Sequence, residues 1–130
     1  MENDNYYVLE FIYLPKFKDE HDYFIKRNKC SSLIDDLERL KKAMNQNFKD
    51  NNSKFTVDRG YFPISGLSNK VHFQCFIIKS FRCKKIKKGA NSGFRITFIF
   101  DEAERKIWFV EIFHKNKKKL PDLKRINNLF

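Results

Sequence analysis

Two long segments of the chain differ in the spacing of their apolar residues, and this difference limits the folds that the sequence can adopt. From residue 16 to residue 48 the apolar residues recur every three or four positions, which is the period of a helix with one buried face. In residues 71–84 and 94–100 they alternate with other residues, as in strands. Helices that precede a run of strands predict the α+β class, with two N-terminal helices packed on one face of a mainly antiparallel sheet.

Two helices are predicted in the first half of the chain. In residues 16–27, acidic side chains in the early turns complement the positive end of the helix dipole. The second helix is predicted over residues 33–47, where Ser32 and Asp35 have the spacing of a capping box. Its single apolar stripe consists of Leu33, Leu37, Leu40, Met44 and Phe48.

Four strands complete the predicted order β-α-α-β-β-β. The first spans residues 6–14 and the second spans residues 71–84. Residues 94–100 and 106–114 are predicted to form an antiparallel hairpin. The apolar face of the second strand is assigned to Val71, Phe73, Cys75, Ile77, Phe81 and Cys83. Because both helices cover one face of the sheet, the other face is expected to be available.

A length of 130 residues is sufficient for one domain with one core, so residues 1–130 are assigned to a single domain. Residues 49–70 show no clear period and are expected to form a short hairpin or an ordered loop. Residues 115–130 are a basic C-terminal tail, in which a short amphipathic helix opened at Pro121 either packs on the sheet or binds a partner.

The apolar segments and the cysteines exclude several classes of protein. No segment approaches the roughly 20 apolar residues of a membrane-spanning helix, and residues 1–5 are polar and acidic, unlike a signal peptide. Cys30, Cys75 and Cys83 have no C-x-x-C spacing and no nearby histidine pair. They are therefore expected to be reduced thiols without a disulfide or a metal ion. A cytoplasmic protein that does not contact membranes is expected.

Positive charge is concentrated in the last two-fifths of the chain. Residues 1–78 hold 12 Lys and Arg against 11 Asp and Glu, whereas residues 79–130 hold 15 against 5. Such a segregation produces an electrostatic field that attracts phosphate polymers or an acidic protein. The charge distribution therefore favours binding of a nucleic acid or of an acidic partner.

Two segments resemble the toxins of the RelE/ParE superfamily. Residues 79–96, KSFRCKKIKKGANSGFRI, resemble a strand, loop and strand of RelE-like toxins, in which a Gly-aromatic-Arg sequence begins the second strand. Residues 108–116, WFVEIFHKN, are similar to the last strand of that group, which closes with an aromatic residue and a basic pair. The resemblance implies a RelE/ParE-like topology, relative to which residues 49–70 are an insertion.

The same resemblance implies an activity, namely metal-independent cleavage of mRNA on the ribosome. The 2′-hydroxyl attacks the adjacent phosphate, so the site needs a proton acceptor, cations that face the phosphate and a proton donor for the departing 5′ oxygen. The expected catalytic residues are Arg95, His114 and Lys84. The residues expected to bind RNA phosphates are Arg82, Lys85, Lys115 and Lys117. Neither a metal ion nor another cofactor is expected, and His21 and His72 are expected at surface positions.

The partners implied by the resemblance are the ribosome, mRNA and a cognate acidic antitoxin whose acidic segment would cover the basic groove. Two alternatives stay open. The chain would be either a ParE-like inhibitor of DNA gyrase or a non-catalytic member that binds RNA or its partner. Both are kept because no Tyr follows Tyr61, whereas the C-terminal segment of the family often supplies a tyrosine near the active site. The oligomeric state is not predicted.

Overall fold

The computed structural model describes residues 8–86 and 92–130, and within them three helices and five strands follow one another. The elements are β1 (Glu10–Tyr13), α1 (Pro15–Lys26), α2 (Leu33–Asp50), β2 (Tyr61–Pro63), β3 (Gln74–Ile78), β4 (Phe94–Asp101), β5 (Lys106–His114) and α3 (Leu123–Asn127). The α+β class is confirmed. The described helices are all too short or too polar to cross a bilayer.

The five strands form one mixed sheet in the order β1-β5-β4-β3-β2. β1 runs parallel to β5, and the other neighbouring strands are antiparallel. β1 is shorter than the predicted first strand, of which residues 6–7 lie outside the described residues. The sheet thus has one strand more than predicted, and the additional strand β2 lies at an edge.

Both helices of the first half cover one face of the sheet, here called the helix face. The predicted stripe of α2 is confirmed, since Leu33, Leu37, Met44 and Phe48 are buried and Leu40 packs against them. The ring of Phe17 in α1 stacks on Phe109 of β5 at 5.3 Å. At the other end of α1, the ring of Phe24 meets Phe94 of β4 edge-on at 4.9 Å, which places this end of the helix over the start of β4.

His21 of α1 was predicted to lie at the surface, and this prediction is wrong. Its side chain is buried and its ring lies 5.9 Å from that of Tyr13. The Nδ1 atom of His21 lies 2.9 Å from a carboxylate oxygen of Asp22, so the buried imidazole has a polar partner. His72, in contrast, is exposed as predicted.

The opposite face, here called the tail face, is also partly covered. Residues 64–73 and the C-terminal tail lie on it, and Ile126 of α3 is buried there with Cys75, Ile99 and Val110. Asp122 accepts the amide of Arg125 at 3.0 Å and so caps α3. The expectation of an available second face is therefore wrong for this part of the sheet, because the tail helix packs on it.

The segment 49–70 supplies the edge strand rather than a separate unit. After α2 the chain makes a 3₁₀ turn at Val57–Arg59 and enters β2, where Tyr61 pairs with Ile78 of β3. Phe55 packs edge-on against Phe100 at 5.0 Å. The predicted ordered loop thus contains a short strand that pairs with β3.

β3 is much shorter than the predicted strand over residues 71–84. It ends at Ile78, and the next two residues are exposed. Phe81 and Cys83 then join the core of the helix face, whereas Cys75 lies in the cluster on the tail face. The prediction that Cys75 shares a face with Phe81 and Cys83 is wrong. The chain leaves the sheet after Ile78, and beyond this point the odd-numbered residues rather than the even-numbered ones point to the helix face.

Cys30 and Cys83 form a disulfide across 53 residues, and Cys75 is a free, buried thiol. The prediction of three reduced thiols is therefore wrong for one pair. The spacing along the sequence could not show the disulfide, because it joins the turn after α1 to the segment after β3. These two regions meet only when α2 packs on the sheet.

Candidate functional site

The side chains at the start of α2 hold the segment that follows β3. The buried carboxylate of Asp36 accepts the amide of Lys84 with both oxygens at 3.2 Å, and the hydroxyl of Ser32 donates to it at 2.7 Å. The same hydroxyl accepts the amide of Lys85 at 3.2 Å. The backbone of the segment is thereby held while the side chains of Arg82, Lys84 and Lys85 are exposed.

Sequence reasoning missed Asp36. It paired Ser32 with Asp35 as a capping box, but Ser32 makes no side-chain capping hydrogen bond and donates to Asp36 instead. That part of the prediction is wrong. A signal was present, because Asp36 lies three residues after Leu33 and beside Leu37, within the apolar stripe. An acid at such a position is buried and needs donors around it.

The end of β5 is joined to the residues before β4 through Ser92. Its hydroxyl donates to the carbonyl of Phe81 at 2.6 Å, and its carbonyl lies 3.1 Å from Nε2 of His114. Nδ1 of His114 accepts the amide of Asn116 at 3.1 Å. An imidazole that accepts a hydrogen bond at Nδ1 carries its proton on Nε2 and donates it, here to Ser92.

Both ring nitrogens of His114 are thus used within the protein. A residue that transfers protons needs a ring nitrogen within reach of the substrate. The catalytic role expected for His114 stays a prediction, and it requires one of these two hydrogen bonds to open.

Arg95 and His114 lie on opposite faces of the sheet. Arg95 pairs with Phe113 on the tail face, whereas His114 pairs with Phe94 on the helix face. A bulge causes this arrangement, because the ladder shifts between Thr97 and Phe98 and leaves Val110 as an additional residue in β5. Without the bulge, strict alternation along β5 would place His114 on the same face as Arg95.

Arg95 is half-buried, and its Nε atom has no hydrogen-bond partner among residues 8–86 and 92–130. Among these residues, Arg95 forms no ion pair with Glu111 of the neighbouring strand β5. The carboxylate of Glu111 instead binds the ammonium group of Lys118 and accepts the amide of Asp122 at 2.9 Å. The Nε–H group of Arg95 is therefore a hydrogen-bond donor without an acceptor among the described residues.

A groove of about 910 Å³ opens between α1, the end of β5 and the turn that follows it. Phe24, Phe94 and Ile112 contribute apolar surface to it, and Tyr23 lines it with about half of its surface exposed. Ile86 lines one side of this groove and Lys117 another. The groove therefore joins the segment after β3 to the turn after β5.

Two of the three acidic residues that line the groove, Glu20 and Glu111, are paired, whereas Asp19 is exposed and forms no ion pair with the described residues. Glu20 and Arg125 form two hydrogen bonds of 2.9 Å, and Glu20 also accepts the amide of Ile112 at 3.2 Å. The hydrogen bonds to Glu20 raise the pKa of the Arg125 guanidinium above its ordinary value. Arg125 also donates to the carbonyl of Val110 at 2.9 Å. Glu20 and Arg125 thus bind the backbone groups of β5 that follow Phe109, its last residue paired with β1.

Five of the predicted cations lie at one end of the sheet. They are here called the basic end and consist of Arg82, Lys84, Lys85, Lys115 and Lys117. The amide of Lys115 donates to the carbonyl of Gly93 at 2.9 Å, which brings the turn after β5 to the start of β4. All five side chains are exposed, and within the described part of the chain they form no ion pair. Residues 87–91 of the segment that resembles RelE-like toxins lie outside the described residues.

One group of potential metal ligands is found in the described ranges, namely Cys30, Asp36 and Cys83. Cysteine binds a metal ion as the free thiolate. The two sulfurs are bonded to each other, so this group does not present a metal site in its disulfide form.

The chain has no match among models of known protein families, among curated proteins or among solved structures.

Proposed function

We propose that the chain binds RNA at its basic end and acts as a RelE-like toxin that cleaves mRNA on the ribosome. The observation that supports binding is the group of five exposed cations without ion pairs to described residues, beside a groove with aromatic surface. Lysine and arginine neutralise phosphates, and aromatic rings stack on unpaired bases. A single-stranded RNA is the ligand that uses both features.

The cleavage part of the proposal rests on the resemblance of residues 79–96 and 108–116 to RelE-like toxins. The 2′-hydroxyl gives its proton to an acceptor and its oxygen forms a bond to phosphorus, while the bond to the 5′ oxygen breaks and that oxygen takes up a proton. Lys84 is the expected catalytic residue that belongs to the basic end, with Arg82 and Lys85 beside it along the chain. Cations at these positions would stabilise the charge that develops on the phosphate.

A second candidate function is RNA binding without cleavage. It is favoured by the separation of Arg95 and His114 on the two faces of the sheet and by the two hydrogen bonds of His114. In this alternative the basic end binds phosphates, and His114 only links the end of β5 to Ser92.

The proposed partners are the ribosome, mRNA and a cognate acidic antitoxin, in the cytoplasm. An acidic segment fits the basic end for the same electrostatic reason as RNA does. An antitoxin that covers the basic end would therefore compete with RNA.

A translation extract separates these functions. We expect the purified chain to produce codon-aligned cuts in a reporter mRNA, detected by primer extension. Intact mRNA together with RNA binding would support the non-catalytic alternative. Intact mRNA together with loss of gyrase supercoiling, measured in parallel, would support the ParE-like alternative.

Two substitutions test the catalytic residues in the same assay. We expect Arg95→Ala and His114→Gln each to reduce cleavage while ribosome association and the circular dichroism spectrum are retained. The matched control is Arg59→Ala, an exposed arginine in the turn before β2. Undiminished cleavage by a folded variant would remove that residue from the catalytic set.

A further inference from the structure

The disulfide lies inside the basic end. Cys83 stands between Arg82 and Lys84, and Cys30 lies in the turn before α2. The two cysteines are buried, with 1% and 0% of their surface exposed. The only covalent link between α2 and the segment after β3, in the described part of the chain, is therefore placed between two cations of the proposed RNA site.

Polar groups surround the two sulfurs. The carboxylate of Asp36 lies 3.4 Å from Sγ of Cys30, and the hydroxyl of Ser32 lies 3.6 Å from Sγ of Cys83. A disulfide sulfur has no proton to donate. A reduced Cys30, however, carries a thiol proton that Asp36 is positioned to accept. The surroundings therefore suit the dithiol form as well as the disulfide.

The same two side chains also bind the backbone beside the disulfide, because Asp36 accepts the amide of Lys84 and Ser32 accepts that of Lys85. These hydrogen bonds would keep the two thiols near each other after reduction. Oxidation could then restore the disulfide quickly, because the two thiols are already close together.

We propose that Cys30 and Cys83 are a site of reversible oxidation that controls how firmly residues 81–86 are held, with a small anionic disulfide of the glutathione class as the oxidant. Disulfides in a reducing compartment are usually transient or redox-sensing rather than structural. The link to RNA binding rests on the function proposed above for the basic end.

The oxidation is a two-step exchange. Because both sulfurs are buried, the exchange requires a transient opening of residues 81–86. The thiolate of one cysteine then attacks a sulfur of the small disulfide, which releases one small thiol and leaves a mixed disulfide. The second cysteine then displaces the second small thiol and closes the bond between Cys30 and Cys83. Two electrons leave the protein pair, and its two protons are balanced by those on the two small thiols. The exposed cations Arg82, Lys84 and Lys85 would attract the anionic oxidant.

The consequence for RNA is a change in preorganisation. In the oxidised form the backbone that carries Arg82, Lys84 and Lys85 is fixed before RNA arrives, so less ordering accompanies binding. In the reduced form only the hydrogen bonds to Asp36 and Ser32 hold it. RNA binding should therefore be tighter in the oxidised form.

The test compares the full chain after treatment with glutathione disulfide and after reduction. We expect the amides of Lys84 and Lys85 to exchange with solvent about tenfold faster in the reduced form, while the Lys115 amide is unchanged. A labelled single-stranded RNA of roughly 12 nucleotides should bind about threefold to tenfold more weakly after reduction. Cys75→Ser is the control and should respond like the parent chain. Cys75, unlike Cys83, lies in a strand that has a neighbouring strand on each side, and burial raises the pKa of its thiol to about 11, so it should not react with the oxidant at neutral pH.

The outcomes distinguish this inference from the proposed function. Faster exchange on reduction without RNA binding in either form would support the redox site and reject the RNA site. Equal exchange in both forms would overturn the redox site, even if RNA binds. Restoration of slow exchange by Co²⁺, with a thiolate-to-metal absorption band, would also overturn it in favour of metal binding. These comparisons use the parent chain and do not depend on whether a cysteine variant folds.

Discussion

The position of the His114 ring depends on the absence of a side chain at Gly93. Gly93 has a φ of +91°, and a Cβ atom added there would lie 2.5 Å from Nε2 of His114. The imidazole therefore approaches the backbone as closely as glycine allows, which lets it bond to Ser92. The Gly-aromatic-Arg sequence that suggested a RelE-like strand has at this position a steric reason for its glycine.

We predict that Gly93→Ala destabilises the protein by about 3 kcal/mol. About 1 kcal/mol comes from the left-handed backbone, and the rest from displacement of the His114 ring and its hydrogen bonds. Gly60→Ala is a matched control, because Gly60 has a φ of +94° but a Cβ there would lie 3.5 Å from the nearest atom. Gly60→Ala should lower the free energy of unfolding by only about 1 kcal/mol. Urea unfolding measures both, and equal costs would contradict the steric role of Gly93.

At the scale of elements, the C-terminal tail depends on the rest of the fold. A helix of five residues is not stable in isolation. α3 is held by burial of Ile126, by the contact of Arg125 with Glu20 and by the hydrogen bond from the Ser68 amide to Asn127. The tail is therefore a packed part of the domain, although most of its charged residues are exposed.

We predict that Ile126→Ala destabilises the protein by about 2 to 4 kcal/mol, because it leaves a cavity between α3 and the sheet. Leu129→Ala is the control, since Leu129 is 46% exposed and its truncation should cost less than about 1 kcal/mol. Urea unfolding monitored by the fluorescence of Trp108, which belongs to the same cluster, measures the difference. Equal stability of the two variants would mean that the tail does not pack on the tail face.

The disulfide links the turn before α2 to the segment after β3. In the chain-entropy account, closing a loop of 53 residues removes freedom from the unfolded chain worth about 4 kcal/mol. Beyond the end of β3, hydrogen bonds as well as the disulfide hold the chain. The amides of Lys84 and Lys85 bind side chains of α2 and its preceding turn rather than a neighbouring strand.

At the scale of the whole molecule, charge is polarised along the sheet. The turn between β4 and β5 carries Asp101, Glu102 and Glu104, whereas the basic end lies at the start of β4 and the end of β5. Among the acids in the groove beside the basic end, Glu20 is paired with Arg125 and Glu111 with Lys118, whereas Asp19 is exposed. A polyanion is therefore attracted more strongly to the basic end than to the turn between β4 and β5.

We predict that RNA affinity falls steeply with salt. If all five cations of the basic end contact phosphates, the logarithm of the association constant should fall with the logarithm of salt concentration with a slope of about −3.5. The double variant Lys84→Ala with Lys85→Ala should reduce the slope by about 1.4. Lys16→Ala with Lys54→Ala removes the same charge far from the basic end and should leave the slope unchanged. Equal slopes for the two double variants would place RNA elsewhere.

The sequence alone determined the elements whose patterns are local. The helical period of α2, the strand over Lys106–His114 and the tail helix after Pro121 were all predicted from neighbouring residues. Local patterns succeed there because one face of each element is buried throughout its length. The concentration of cations in residues 79–130 was likewise visible without a structure.

Which residues meet depends on contacts between distant segments of the folded chain. The bulge at Val110 places His114 on the helix face and Arg95 on the tail face, and no periodicity within β5 contains that information. The disulfide and the bonds of Asp36 join residues about 50 positions apart. The physical reason is that strand register and helix packing arise from contacts between distant segments, whereas periodicity records only the burial of each segment along its own length.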